Sequence, residues 1–187
     1  MDITIKPLTS DTLDDYLFFF DHITFTENPD WSVCYCFSFH FVGTKEQWNR
    51  EENRSSVIKY VHENKMTGYL AYHDNKPVGW CNANNRLKYQ RLLKYYDLID
   101  NPDDKVCSIV CFLIHPDYRR KGIAQKILDR ICEDYSEQGF DYIEAYPGKG
   151  ELSCEDHYKG PLKLYERFDF KIKKECGDYY IVRKKLI

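Results

Sequence analysis

The stretch "VCSIVCFLIHPDYRRKGIA", residues 106–124, decides the fold. Its first nine residues form a continuous apolar run with recurring Val and Ile, as is typical of a central strand buried on both faces. A turn follows that contains a proline, two arginines and a lysine, and from Gly122 onward the pattern is helical. The stretch therefore predicts a buried strand that ends in a basic turn and leads directly into a helix.

The residues after the basic turn extend this unit into a strand–helix–strand motif. Isoleucine and tyrosine side chains recur one helical turn apart from Ile123 to Tyr135, which makes one apolar helix face. Gly139 follows the last turn, where glycine commonly ends a helix. "FDYIEAYP", residues 140–147, then reads as a second strand. Strands joined by a crossover helix pair in parallel with a right-handed connection, so the motif predicts a parallel pair within a sheet.

The rest of the chain supplies further helices and antiparallel hairpins. Before the motif, we predict a strand at 3–8, a helix at 9–23 capped by Thr9 or Ser10, and a helix at 44–65 with a Thr44–Gln47 capping box. A hairpin at 68–83, which turns at Asp74–Asn75–Lys76, and a short basic helix or loop at 86–96 follow. After the motif, we predict a short helix at 161–168 with Pro161 at its first position and a hairpin that turns at Gly177–Asp178. This order predicts an α/β protein with a mixed sheet and helices on both faces. No linker or repeat divides the chain, so we expect a single domain over residues 1–187.

Composition excludes several function classes. The chain has 187 residues, 43% of them hydrophobic and 30% charged, with a net charge of -3. That charge gives no basic footprint for nucleic acid. No apolar run reaches the ~20 residues of a membrane helix, and "MDITIKPLTS" lacks the apolar core of a signal peptide. We therefore expect a cytoplasmic protein that binds neither nucleic acid nor membrane.

The cysteines predict reduced thiols and no metal centre. There are eight of them, and an oxidising compartment would be needed for disulfides. The single close pair is Cys34-Tyr35-Cys36, with no second pair to complete a four-ligand metal site. Cys107 and Cys111 lie in the apolar strand, where cysteine behaves as a small buried hydrophobe.

The basic turn has the parts of a phosphate site. The first backbone N–H groups of a helix have no internal partner and carry the positive end of the helix dipole, so an anion binds there. Gly122 and the small Ala124 let a phosphate approach the backbone. The stretch matches neither the P-loop nor the dinucleotide fingerprint. The alternative is a solvated basic turn with a glycine at the helix start.

Arg119-x-x-Gly122-x-Ala124, after the strand "VCFLIHP", resembles the acetyl-CoA signature R/Q-x-x-G-x-G/A of the GCN5-related N-acetyltransferase (GNAT) family. The predicted element order is similar to that of the family over most of the chain. The resemblance implies a centrally splayed sheet of about six to seven strands that binds acetyl-CoA and needs no metal. The implied cofactor-binding residues are Phe112, Leu113, Ile114, Arg119, Arg120, Lys121, Gly122, Ile123 and Ala124.

A second segment, "LYERFDF" at 164–170, resembles the family's Y-x-x-x-G-F. The resemblance implies that Tyr165 lies near the thioester sulfur and donates a proton to the departing thiolate. Asp169 stands where the family has glycine; aspartate tolerates the left-handed conformation better than most residues. The alternative for Tyr165 is a tyrosine that faces the core from a short helix.

The direct transfer of an acetyl group to an amine also needs a proton acceptor, since an alkylamine has a pKa near ~10.4. Glu144, between Ile143 and Ala145 on the strand flanking the slot, is the first candidate, and an outward-facing glutamate is the alternative. Tyr146, His157 and Glu155 are weaker candidates. A chain of waters is another route.

The segment "NPDWSVCYCFSFH", residues 28–40, occupies the place where the family forms its acceptor pocket. We expect an aromatic wall from Trp31, Tyr35 and Phe37, with Tyr146 nearby and Asp30 holding the charge of the amine. W-x-x-C-Y-C also resembles uncharacterised members of the family. Cys34 or Cys36 as an acyl-accepting nucleophile is an alternative to plain packing.

The resemblance implies an acetyl-CoA-dependent N-acyltransferase that transfers an acetyl group to a primary amine of a small molecule. Alternatives are a protein N-terminus or lysine side chain as acceptor, and a catalytically silent acyl-CoA sensor on the same fold. A nucleotide-binding protein that uses the same turn is a third. Members of the family are often dimers, so a homodimer is possible.

Overall fold

The computed structural model describes residues 1–95, 101–150 and 156–186. They form a seven-stranded sheet in the order β1-β2-β3-β4-β5-β7-β6. The strands are β1 (Thr4–Pro7), β2 (Tyr69–His73), β3 (Lys76–Asn85), β4 (Val106–Ile114), β5 (Tyr142–Ala145), β6 (Lys171–Glu175) and β7 (Tyr180–Lys185). The α-helices are α1 (Leu13–Phe18), α2 (Arg50–His62), α3 (Gln90–Tyr95), α4 (Ile123–Glu137) and α5 (Leu162–Glu166).

The sheet is mixed, as the sequence predicts. β4 and β5 pair in parallel, whereas β1, β2, β3 and β4 form a run of antiparallel neighbours. The C-terminal hairpin adds β7 antiparallel to β5 and places β6 at the edge. The predicted strand–helix–strand motif and the α/β fold class are therefore confirmed.

Helices cover both faces of the sheet. One core contains buried side chains of α1, α2 and α3, together with Trp80 and Val110 of the sheet. The other contains the apolar face of α4 and the buried residues of α5, packed against Cys107 and Ile109. β4 therefore contributes to both cores, as its continuous apolar run predicts.

Three helix predictions need correction. The helix predicted at 44–65 is a 3-10 turn capped by Thr44 and then α2, because the backbone leaves the helix at Trp48, whose ring packs 4.9 Å from that of Phe41. The first helix opens with a 3-10 turn capped by Thr9 and closes with a five-residue π turn, Phe19–Ile23. Pro161 caps α5 from outside instead of occupying its first position.

Within the described ranges, no helix is both long and apolar enough to cross a membrane. The seven cysteines in those ranges are free thiols.

Candidate functional site

The site begins where β4 separates from β5. The two strands pair from Val106 opposite Tyr142 to Ile109 opposite Ala145, and the ladder ends there. On its other edge, β4 continues to pair with β3 as far as Ile114. Val110 is an extra residue in that ladder, because Asn82 pairs with Cys111 and the next β3 residue pairs with Ile109. A bulge bends its strand, so β4 turns away from β5 and one edge of residues 110–114 is left open.

Alternate side chains of the splayed half of β4 enter two different cavities. Phe112 and Ile114 line a groove on the α4 face. Cys111 and Leu113 line a pocket on the opposite face. This division follows from the period of two in a strand. The bulge thus creates one open strand edge with a cavity on each side.

The groove has a volume of about 560 Å³ and opens onto the start of α4. Its described lining residues are Phe112, Ile114, Tyr118, Arg119, Arg120, Gly122, Ile123, Ala124, Gln125, His157, Gly160, Pro161, Lys163, Leu164 and Arg167. Gly122 is the N-cap of α4 and has a φ of +81°, in the left-handed region that glycine tolerates best. The unpartnered first-turn amides of this 15-residue helix and its positive dipole end therefore lie at the groove.

Seven of the nine predicted cofactor-binding residues line this groove, and Leu113 and Lys121 do not. Leu113 points into the opposite pocket because it alternates with its neighbours. Lys121 is exposed, with its ammonium 5.4 Å from the centre of the Tyr118 ring. Arg119 holds the turn: its Nε donates to the Ile114 carbonyl at 3.1 Å, and its Nη2 lies 2.5 Å from the Glu27 carboxylate.

Sequence reasoning missed the α5 side of the groove. Lys163 and Arg167 line it together with Pro161 and Leu164. The spacing of four between the two cations places them on one side of a helix, which was the available signal. That this side faces the groove follows from the packing of α5 against the α4 face of the sheet.

Tyr165 is fully buried on α5 and faces the core. Its hydroxyl donates to the Lys159 carbonyl at 2.6 Å, and burial raises its pKa. The same hydroxyl lies beside Gly160, which lines the groove, since a Cβ built there would be 2.8 Å from it. Tyr165 therefore lies beside the groove, and its own side chain is not among the described lining residues of either cavity.

Asp169, where the resemblance has glycine, adopts a φ of +63°. The position does require a left-handed conformation, and aspartate provides it at modest cost.

Glu144 lies in a buried ion-pair cluster instead of facing a cavity. Its Oε2 accepts from Arg183 Nε at 2.9 Å and from Arg183 Nη2 at 2.6 Å. Its Oε1 accepts from the Tyr146 hydroxyl at 2.8 Å and lies 3.6 Å from Arg86 Nη1. Both carboxylate oxygens are engaged by side chains of this cluster, and Glu144 is not among the described lining residues of either cavity, so this geometry disfavours it as the group that receives a proton from a bound amine. Tyr146 is fully buried in the same cluster and lines neither cavity.

The two weaker candidates for the proton acceptor in the loop before α5 have different outcomes. His157 lines the groove. Glu155 lies outside the described residues.

The opposite pocket has a volume of about 280 Å³. Its described lining residues are Phe25, Asp30, Trp31, Val33, Cys34, Cys36, Ser38, Phe39, Trp48, Cys111, Leu113 and Tyr158. Asp30 and Trp31 therefore lie where the sequence predicts an acceptor pocket. Tyr35 does not: its ring stacks on Phe20 in the core, and its hydroxyl donates to the Asp21 carboxylate. Phe37 is also a core residue, packed against His40 and Tyr60.

Sequence reasoning missed Phe25, Phe39, Trp48 and Tyr158 in this pocket. Phe25, Phe39 and Trp48 come from the aromatic-rich first 50 residues, which is their only common signal, whereas Tyr158 comes from the 3-10 turn Asp156–Lys159. A narrow cleft of about 80 Å³ runs between the two cavities. It shares Phe112 and Arg119 with the groove and Trp31 and Tyr158 with the pocket.

Three thiols line the inner part of the pocket, from Cys34, Cys36 and Cys111. Tyr35 and Cys36 have positive φ values of 44° and 52°. Buried donors hold this strained pair, because Asn82 Nδ2 donates to the Cys36 carbonyl at 2.9 Å and the Tyr16 hydroxyl donates to the Tyr35 carbonyl.

The thiols differ in acidity. Burial raises the pKa of Cys34 to about 11. Burial also acts to raise the pKa of Cys36, but its neighbours Cys111, Trp80 and Asn82 outweigh burial and leave that pKa lowered, and Asn82 Nδ2 donates to its Sγ at 3.5 Å. In the described ranges no cluster of three or more His, Cys, Asp or Glu side chains is arranged to hold a metal ion.

Comparisons with known proteins agree with this architecture. The model of the acetyltransferase (GNAT) family matches residues 25–170. No curated protein sequence gives a significant match.

Among solved structures, the PaiA N-acetyltransferase of Thermoplasma acidophilum, in complex with coenzyme A, superposes with a TM-score of 0.58 at 14% identity, over 99% of each chain. The ribosomal-protein-S18-alanine N-acetyltransferase of Escherichia coli superposes with a TM-score of 0.56 at 11% identity, and the match covers 99% of this chain and 94% of that one. An acetyltransferase of the GNAT family from Streptococcus pneumoniae superposes with a TM-score of 0.57 at 13% identity, and the match covers 98% of this chain and 99% of that one. At these identities the likeness concerns the fold.

Proposed function

The chain belongs to the acetyltransferase (GNAT) family, and from that membership we propose that it transfers the acetyl group of acetyl-CoA to the primary amine of a small molecule. The observation that carries the proposal is the open edge of β4 between two cavities. One cavity presents the start of α4 and its glycine cap, and the other is a half-open, largely apolar pocket. A donor and an acceptor bound in these cavities meet at the splay.

Acetyl-CoA binds in the groove under this proposal. Its diphosphate is held by the first-turn amides of α4, beside Gly122 and Ala124. Arg120 of the turn and Lys163 and Arg167 of α5 add positive charge from two walls of the groove. The pantetheine arm pairs with the open backbone edge of residues 112–114. This pairing supplies partners to backbone groups that lie beyond the end of the β4–β5 ladder and so have no strand partner on that edge.

The chemistry at the splay is an acyl transfer. The neutral amine nitrogen bonds to the thioester carbonyl carbon, and the carbon–sulfur bond breaks. Tyr165, whose hydroxyl lies beside the groove-lining Gly160, donates its proton to the departing thiolate, and the proton that the nitrogen loses on becoming an amide restores the Tyr165 hydroxyl. Burial raises the pKa of this hydroxyl, so it carries its proton when the thioester binds.

The proton of the incoming ammonium leaves by a different route. Glu144 is held in its ion-pair cluster, so we assign it a structural part. Asp30 is exposed on the pocket lining and favours the cationic amine in the encounter. The proton then passes to water at that open side of the pocket, and a neutral amine moves inward to react.

The size of the pocket and its closed inner end favour a small acceptor. The pocket is closed on the inside by Cys36 and Cys111, both buried, and its volume is that of a small molecule. A protein N-terminus or a lysine side chain remains the alternative acceptor, and an acyl-CoA sensor remains the non-catalytic alternative.

Turnover with a Tyr165→Phe variant tests the proposal. Free thiol released from acetyl-CoA is measured against a panel of amines. We expect the variant to lower kcat by about 100-fold while the KM for acetyl-CoA stays within about twofold, because the donor acts only as the thiolate forms.

The matched control is Tyr135→Phe. Tyr135 is a tyrosine of the same core whose hydroxyl donates to the Ala83 carbonyl at 3.2 Å, away from both cavities. The Tyr135→Phe variant loses a comparable hydrogen bond and should keep the wild-type kcat. Wild-type protein that binds acetyl-CoA but acetylates no amine in the panel would support the sensor instead.

A further inference from the structure

The pocket opposite the coenzyme groove is walled by aromatic rings. Trp31, Phe39 and Trp48 line it together with Phe25 and Tyr158. Aromatic side chains recognise a flat apolar ligand by stacking and by edge contacts. The wall therefore favours a ligand that carries a ring of its own.

These rings are held in place before any ligand arrives. Trp48 packs edge-on against Phe41 at 4.9 Å, and Trp31 packs edge-on against Tyr158 at 6.1 Å. The segment that carries Trp31 is tied to α2, because Asn53 Nδ2 donates to the Val33 carbonyl at 2.8 Å. A preformed wall costs little ordering entropy on binding.

Charge in the pocket is of one sign. Asp30 is the single charged residue among the described lining residues, and the inner end is formed by thiols and Leu113. A ligand with one ammonium group can therefore pair it with the Asp30 carboxylate. A ligand with a carboxylate is repelled by Asp30 and finds no cation among the described lining residues, which is unfavourable.

Size narrows the choice further. A cavity of about 150 Å³ holds benzene in another protein, and this pocket has about 280 Å³. The volume suits one ring system with a short alkyl chain. The chain must reach inward to Cys111 and Leu113, which stand on the splayed half of β4 where the acetyl group would lie.

We infer that the acceptor is an arylalkyl primary amine without a carboxylate, whose ring packs among Trp31, Phe39 and Trp48 while its amine reaches the splayed edge of β4. This inference rests on the proposed acetyl transfer. The amine nitrogen gains the acetyl group, the coenzyme leaves as free thiol, and one proton is released to solvent.

The test compares kcat/KM for four acceptors at saturating acetyl-CoA: 2-phenylethylamine, 1,4-diaminobutane, phenylalanine, and a peptide with a free N-terminus. We expect the kcat/KM for 2-phenylethylamine to exceed that for each of the others by about 100-fold, because the diamine has no ring for the aromatic wall, phenylalanine brings a carboxylate beside Asp30, and the peptide brings excess bulk. Trp48→Ala should lower kcat/KM for 2-phenylethylamine by about tenfold or more and leave the KM for acetyl-CoA unchanged.

Two further variants sharpen the comparison. Asp30→Arg should make the kcat/KM for phenylalanine exceed that for 2-phenylethylamine, because the pocket then offers a cation to the carboxylate of phenylalanine. Phe18→Ala removes an exposed ring of α1 that lies outside the described lining of either cavity. This variant should leave the kcat/KM for both acceptors unchanged.

The outcomes separate this inference from the proposed function. Preferred acetylation of the diamine or the peptide overturns the aromatic acceptor and leaves acetyl transfer standing. If no amine is acetylated, the proposal of acetyl transfer fails. Titration of 2-phenylethylamine into protein loaded with coenzyme A then tests whether the pocket binds an aromatic amine. Saturable binding that Trp48→Ala weakens supports an aromatic-amine site, whereas no binding overturns it.

Discussion

His40 is a buried imidazole that makes stability depend on pH. Its ring is 1% exposed among Phe37, Tyr60 and Tyr89, its Nδ1 lies 3.3 Å from the Lys88 carbonyl, and its Nε2 has no hydrogen-bond partner in the described part of the chain. Burial lowers its pKa to about 4 from 6.5. Between these values the unfolded chain binds the proton and the folded protein does not, so stability falls as the pH drops from 6.5 towards 4.

The expected loss over that range is roughly 3 kcal/mol of unfolding free energy, to be measured by urea denaturation at a series of pH values. His40→Phe, which fits an aromatic cluster, should flatten this dependence. The exposed His22→Gln serves as the control and should keep the wild-type slope. Equal slopes in wild type and His40→Phe would contradict a neutral buried imidazole.

Glu144 offers a second test at the scale of one residue. Glu144→Gln leaves Arg183 without the carboxylate that it meets at 2.6 Å in a fully buried position. Removing one partner of a buried pair costs about 3–5 kcal/mol, so we expect a loss of that order in unfolding free energy. Glu63→Gln removes the exposed partner of Lys65 and should leave stability unchanged.

Activity per folded molecule then distinguishes the roles of Glu144. A structural carboxylate predicts near wild-type kcat in folded Glu144→Gln protein at low temperature. A large fall in kcat with no loss of stability would instead restore Glu144 as the proton acceptor.

At the scale of one element, α4 is bounded by two left-handed glycines that form a matched pair. Gly122 caps its start with a φ of +81°, and Gly139 follows its end with a φ of +70°. A Cβ at Gly122 would meet only the Gln125 side chain at 3.6 Å, and a Cβ at Gly139 would meet nothing within 4 Å. Alanine at either position therefore strains the backbone by about 1–2 kcal/mol without a clash.

Gly122→Ala should also raise the KM for acetyl-CoA by about tenfold, because a Cβ would stand between the phosphate and the first-turn amides. Gly139→Ala should lower stability alone. Steady-state kinetics of both variants check this. If the two variants share one KM, the start of α4 is not where the diphosphate binds.

At the scale of the whole molecule, binding in the groove should appear as thermal stability. A ligand at about 100 times its Kd stabilises the folded state by about 2.7 kcal/mol, which shifts the Tm of a domain of this size by roughly 5–10 °C. Coenzyme A should give this shift at concentrations where ATP gives less, because only coenzyme A has a pantetheine arm for the open edge of β4. A larger shift with ATP would favour a nucleotide-binding protein.

Local patterns predicted most of the fold because each depends on near neighbours in the chain. The apolar run gave the expected bounds of β4, Val106–Ile114. The 3.6-residue period located α4, and Gly177–Asp178 lies in the turn of the last hairpin, between β6 and β7. The break at Trp48 was not predictable in this way, since it depends on a contact with Phe41.

The sequence by itself determined the basic turn, its glycine and the strand before it, since these act through backbone geometry over a few residues. Only the tertiary structure decided which polar side chains face a cavity. Glu144 and Tyr35 carry suitable groups, yet Arg183 and Asp21 engage them in the interior. Those partners lie 39 and 14 residues away along the chain, and burial together with such distant pairing cannot be read from a strand's alternation or a loop's composition.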